Sequence, residues 1–177
     1  MRHFFLKFSI ILFSSISMYS QALDTLVDIG GYKMHFNILK GTGTPILFEA
    51  GGGNDGSVWN DVLGKIYKVT GTTLITYDRS GFGNSELNPN LKKDSDFGIL
   101  NGIKELDTGL SRLGFNNEII LVSHSYGGLY NLLYTNKHPE KVKSVVLIDA
   151  TPPDFWNEEF LAMRDQNVDI NSIPKPS

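Results

Sequence analysis

Ser125 stands in the most chemically suggestive setting of the chain. Ile119-Ile120-Leu121-Val122 is an apolar, mostly β-branched run that reads as a buried strand, and Ser123-His124-Ser125-Tyr126-Gly127-Gly128 follows it directly. A serine on a sharp strand-to-helix turn has its hydroxyl held out at the tip, which is the form of a nucleophile elbow. Such a turn imposes strained backbone angles, so side chains two positions to either side must be small. Ser123 and Gly127 meet that demand, with Ser123 standing where glycine is usual. The chemistry implied is acyl transfer or hydrolysis. A hydroxyl attacks a carbonyl, two amides hold the oxyanion that forms, and a general base takes the proton.

The rest of the chain reads as the frame for that turn. Residues 25–29 and 32–39 flank Gly30-Gly31, and Tyr32, Met34 and Phe36 alternate with Lys33, His35 and Asn37, the pattern of a hairpin with one buried face. A short apolar strand over 45–50 runs into a glycine-rich loop, 51–56, and then into a helix whose apolar stripe is Val58, Trp59, Val62, Leu63, Ile66 and Tyr67. Asp55 or Ser57 is placed to cap that helix. A strand over 72–77 ends at Asp78, and a second helix carries Ile99, Leu100, Ile103, Leu106, Leu110 and Leu113. After the elbow, a helix stops before Pro139 and a strand over 142–148 ends at Asp149. Repeated strand-helix-strand units predict an α/β fold, a mostly parallel sheet of about six strands with helices on both faces. The strand over 142–148 is expected to present a very apolar sheet edge.

The first 22 residues read differently. Arg2 and Lys7 precede an apolar, serine-rich stretch over 8–18, and Ser20-Gln21-Ala22 offers small residues at the cleavage-determining positions. This predicts a signal peptide over 1–22 and an exported chain, periplasmic or secreted, with no integral membrane segment after its removal. Loss of Arg2 and Lys7 makes the remainder more acidic than the whole chain's formal charge of −3, which argues against nucleic acid as a partner. Cysteine is absent, so disulfides, thiolate catalysis and cysteine-ligated metals are excluded.

Three landmarks then fall in order. Glu49-Ala50-Gly51-Gly52-Gly53, with Trp59 eight residues after Gly51, resembles the oxyanion loop after the third strand of an α/β-hydrolase. Tyr77-Asp78-Arg79-Ser80-Gly81-Phe82-Gly83-Asn84-Ser85 resembles the segment after that family's fourth strand, and the Ser125 turn resembles its elbow. The resemblance spans about residues 25–151. It implies the N-terminal part of an α/β-hydrolase core over 23–151 and the start of a cap or lid, cut short, over 152–177. It implies Ser125 as nucleophile and the amides of Gly52 and Tyr126 as oxyanion donors. The substrate implied is a small ester or other acyl compound, with no metal and no organic cofactor.

The same resemblance sets a demand that these residues do not meet. In this family a serine is followed by an acid and then a histidine. The four histidines are His3, His35, His124 and His138, and none follows Asp149. The triad histidine, and with it the usual acid, is therefore expected beyond residue 177. Asp149 matches the position at which part of the family places its acid after the sixth strand. It also reads as an ordinary strand-end aspartate that turns the chain. Asp78-Arg79 reads as a buried ion pair or loop anchor.

Two other readings remain in view. One is a truncated, catalytically inactive remnant or binding protein. The other is a dinucleotide-binding domain, because residues 51–56 match Gly-x-Gly-x-x-Gly and Asp78 lies where a ribose ligand would stand. An early hairpin and an otherwise unexplained Ser125 weigh against the latter.

Overall fold

The computed structural model describes residues 22–92 and 98–152. The expected signal segment before Ala22 and the expected cap residues after Pro152 lie outside them. Six strands form one sheet: β1 (Ala22–Asp28), β2 (Lys33–Leu39), β3 (Ile46–Glu49), β4 (Leu74–Tyr77), β5 (Ile119–His124) and β6 (Val142–Ile148). Their spatial order is β1-β2-β4-β3-β5-β6. β1 and β2 form the expected antiparallel hairpin, β2 pairs antiparallel with β4, and the β4-β3-β5-β6 half is parallel throughout. β1 begins at Ala22, three residues earlier than the alternation suggested and inside the expected signal segment.

Helices cover both faces, as the strand-helix alternation requires. On one face α2 (Ile99–Arg112) and α3 (Gly127–Lys137) pack Ile103, Leu106, Leu110, Tyr130 and Tyr134 against Met34, Phe36, Leu47, Ile75 and Leu121. On the other, α1 (Asn60–Thr70) and the short 3-10 turn before it pack Trp59 and Leu63 against Phe48 and Leu74. Neighbouring Leu47 and Phe48 thus serve opposite cores, which follows from the period of two in a strand. Asp55 Oδ1 accepts the Ser57 amide at 2.9 Å and caps the turn into α1. Val58 and Val62 do not join the buried stripe, being 48% and 37% exposed. Among the described strands β6 lies at the sheet edge, and Val146, Leu147 and Ile148 on it are each more than two-fifths exposed. No described helix is long and apolar enough to cross a membrane.

Candidate active site

The junction of β5 and α3 is where the backbone departs from the ordinary. Ser125 has φ 52°, and Asp149 at the end of β6 has φ 43°; they are the two non-glycine residues with positive φ among those described. L-residues pay roughly 1–2 kcal/mol for the left-handed region, so the packing around both must hold them there. The Ser125 amide donates to the Ile148 carbonyl at 3.2 Å, and the Ser125 carbonyl accepts from Gly128 at 2.9 Å and Thr151 at 3.1 Å. Ser125 is therefore bonded to residues on either side of Asp149. Structure brings these two candidates to adjacent strand ends. The Asp149 carboxylate is exposed and accepts no hydrogen bond from any described residue.

Small residues are required at the elbow for a visible reason. A Cβ at Gly127 would lie 2.5 Å from the Ala50 carbonyl oxygen, a backbone atom with no room to move. The glycine-rich loop after β3 packs just as closely on the other side. A Cβ at Gly51 would sit 3.5 Å from the Ser125 Cβ, and one at Gly52 would sit 3.4 Å from the Tyr126 Cβ. Gly52, Ser125 and Tyr126 thus meet where β3 and β5 end side by side. Tyr126 is the N-cap residue just before α3, whose N-terminal end carries the positive pole of the helix dipole.

One side chain holds this loop in place. Arg79 donates through Nη1 to Glu49 Oε1 at 3.0 Å and to the Ala50 carbonyl at 3.2 Å. Through Nη2 it donates to the Gly51 carbonyl at 2.5 Å and the Asn54 carbonyl at 3.2 Å. Its guanidinium also lies 5.0 Å from the Tyr130 ring centre and 5.4 Å from that of Phe82. Arg79 thus holds the Ala50, Gly51 and Asn54 carbonyls of the loop on one side chain. Glu49 is 1% exposed and also accepts from the Tyr77 hydroxyl. Burial pushes its carboxyl up to about 7 although Arg79, Tyr77 and the Ala50 amide pull it down. Burial, and then the Glu49 charge, push the Tyr77 hydroxyl well up.

Asp78 and Arg79 are not paired with each other. Asp78 accepts from the Gly56 amide at 2.8 Å, the Asn84 amide at 2.8 Å and His35 Nδ1 at 2.9 Å. His35 Nε2 lies 2.9 Å from Asp24 Oδ1, so the hairpin, the glycine-rich loop and the loop after β4 are tied through one buried imidazole. That explains why His35 is only 9% exposed on the hairpin face expected to be polar. It also removes Asp78 as a ribose ligand, since its carboxylate is buried and engaged inside the fold. No cluster of three or more histidine and acidic side chains among the described residues is placed to hold a metal ion.

Neither of the other two described histidines has a hydrogen bond to Ser125 among the described residues, although a Cβ at Gly51 would touch both His124 Nδ1, at 3.1 Å, and the Ser125 Cβ. His124 lines a small surface hollow with Asn54, Val58, Trp59 and Ile148. His138 follows the far end of α3 and lies against Tyr134, ring centres 4.8 Å apart. A cavity of about 270 Å³ opens beside the elbow and is lined by Gly52, Arg79, Phe82, Glu105, Tyr126 and Tyr130 among others. Ser125 is not among its lining residues. Neither the Glu49–Arg79 pair nor Glu105 was anticipated. Glu49 is a carboxylate closing an apolar strand, which was the only hint of the first.

Residues 44–171 match the family described as alpha/beta hydrolase fold. A protein of Bacillus subtilis (strain 168), YqjL, is 31% identical over 145 residues, covering 81% of this chain and 54% of that protein. A proline iminopeptidase of Lactobacillus delbrueckii subsp. bulgaricus is 30% identical over 118 residues, covering 66% of this chain and 39% of that enzyme. Among solved structures, the haloalkane dehalogenase DatA from Agrobacterium tumefaciens C58 superposes with a TM-score of 0.60 at 22% identity, over 73% of this chain and 41% of the other. The chain spans about half the length of these relatives or less. With well over half of its residues matched, and with the elbow and glycine-rich loop meeting on a parallel sheet, the chain belongs to the α/β-hydrolase fold family.

Proposed function

We propose that Ser125 is the nucleophile of a hydrolase acting on a small ester or other acyl compound. The observation that carries this reading is the positive φ of Ser125 at the β5–α3 junction, an unfavourable conformation held by backbone bonds to β6. The Ser125 hydroxyl attacks the carbonyl carbon and the carbonyl oxygen becomes an oxyanion. The amides of Gly52 and Tyr126 receive it, each contributing about 3 kcal/mol to the transition state, and the positive end of α3 adds to their field. Collapse of the tetrahedral intermediate expels the alcohol or amine and leaves an acyl group on Ser125, which water then releases. The serine proton needs a base. His35 is bonded to two aspartates, His124 faces the outer hollow and His138 lies beyond α3. On this reading the base comes from outside the described residues, and Asp149, at the end of β6, is the acid that would orient it. The alternative reading is a remnant that binds acyl compounds without efficient turnover, and it is supported by the lack of a histidine bonded to Ser125 among the described residues. The first 22 residues direct export.

A p-nitrophenyl phosphonate tests the assignment, because the nucleophile keeps the phosphorus after one event. The expected result is a single slow adduct on the peptide carrying Ser125, absent in Ser125→Ala, with p-nitrophenyl ester hydrolysis barely above background. An adduct elsewhere with Ser125 untouched overturns the assignment. Fast ester hydrolysis lost on Ser125→Ala would show that a base is already in reach.

A further inference from the structure

Gly51, Gly52 and Gly53 follow one another directly after Ala50, and glycine backbone does not hold its own direction. The peptide joining Gly51 to Gly52 can turn over at little cost, since neither residue has a Cβ to oppose it. Which way it faces decides its chemistry. One way, it presents an N–H to a developing oxyanion. The other way, it presents a carbonyl oxygen that repels one.

Both ends of that peptide lie against the elbow. A Cβ at Gly51 would stand 3.5 Å from the Ser125 Cβ, and a Cβ at Gly52 would stand 3.4 Å from the Tyr126 Cβ. Its carbonyl belongs to Arg79. Nη2 donates to the Gly51 carbonyl at 2.5 Å, while Nη1 donates to the Ala50 carbonyl at 3.2 Å. The peptide is trans, so its C=O and N–H stand on opposite sides. The Gly52 N–H therefore points away from Arg79, and it donates to no described residue. Arg79 is itself held: it is 7% exposed, Glu49 Oε1 accepts from Nη1 at 3.0 Å, and its guanidinium lies over the Phe82 and Tyr130 rings. A planar fork gripped at these points fixes two carbonyls at set angles, which the point charge of an ammonium does not.

We infer that Arg79 is a positioning residue of the oxyanion hole: by gripping the Gly51 carbonyl it turns the Gly52 N–H toward the oxygen that becomes charged when Ser125 attacks. The inference rests on the Ser125 reading and adds to it the side chain that makes a triple-glycine loop a directed donor. Arg79 acts through the Gly51–Gly52 peptide and touches no reacting atom.

The test follows the rate at which the p-nitrophenyl phosphonate labels Ser125 in the full chain, with Arg79→Lys as the variant, since lysine keeps a positive charge opposite Glu49. The expected result is a limiting rate lower by about 10²-fold, the usual loss for a misplaced oxyanion donor, with the half-saturating reagent concentration changed less than about twofold. Gly52→Pro deletes the same N–H, so adding Arg79→Lys to it should slow labelling by less than about threefold more. Labelling of Arg79→Lys at the unaltered rate overturns the inference. So does an equal loss repeated in the Gly52→Pro background, which would place the role of Arg79 elsewhere. Should Arg79→Lys fail to fold, NMR of the unaltered chain labelled at glycine nitrogen decides: the Gly52 amide proton should move downfield when Ser125 is phosphonylated, and an unmoved signal overturns the inference. Labelling of Ser125 that ignores Arg79 sinks this inference alone. No label on Ser125 sinks the nucleophile, and the positioning role with it.

Discussion

Replacing Glu49 by glutamine should change how stability depends on pH, and by a calculable amount. Glu49 is buried, and its carboxyl is pushed from its usual 4.5 to about 7 in spite of Arg79. Below pH 4.5 both folded and unfolded chains hold the proton and the site is neutral in its effect. Between 4.5 and about 7 the unfolded chain releases its proton first, so fewer protons are bound unfolded than folded and stability falls as pH rises. At about 1.4 kcal/mol per pH unit, the ionised Glu49 costs the fold roughly 3 kcal/mol above pH 7. Glutamine keeps the shape and one accepting oxygen for Arg79, its amide N–H donating to the Tyr77 hydroxyl in place of the bond Glu49 Oε2 accepts, and does not titrate. The stability of Glu49→Gln relative to the unaltered chain should therefore rise by roughly 3 kcal/mol between pH 4.5 and 7.5. Urea unfolding followed by tryptophan fluorescence at four pH values in that window measures it. Other carboxylates cancel in the difference, since they titrate alike in both proteins. A flat difference would refute the reasoning. A difference of opposite slope would show that the attraction of Arg79 outweighs desolvation.

Two further substitutions probe the elbow. Ser125→Gly should raise stability by roughly 0.5–1 kcal/mol, because glycine relieves the left-handed strain and loses part of that gain to unfolded-state entropy; in the same urea unfolding, a loss of stability would mean the φ of 52° is not strained. Ser123 is fully buried with its Oγ unpartnered, so Ser123→Ala should stabilise by about 1 kcal/mol. A Ser123→Ala chain that melts lower would reveal a partner for that hydroxyl.

The elbow was legible in the chain because its constraints are local. A strand-forming run, a serine and small residues at two fixed offsets are all set within ten positions, and the steric reason for Gly127 reappears as its approach to Ala50. The strand and helix periods were legible for the same reason, and β6 was bounded to the residue. The stripe running into α1 was overcounted, because Val58, in the 3-10 turn before it, and Val62 follow the helical period but are half-exposed.

What sequence determined by itself was the order of elements, the α/β layering, the serine at the turn and the absence of any histidine after Asp149. Each depends on neighbours in the chain or on a simple count. Tertiary structure alone decided that Arg79 is spent on Glu49 and the glycine-rich loop, that His35 is buried between two aspartates, and that Glu105 reaches the cavity beside the elbow. The Arg79 and His35 pairings join residues 11 to 43 positions apart, and Glu105 bonds Tyr32 across 73, through side chains whose partners depend on strand order and helix placement. No periodicity encodes such contacts. They exist only once β4, β3 and β5 lie side by side and α2 and α3 close over them.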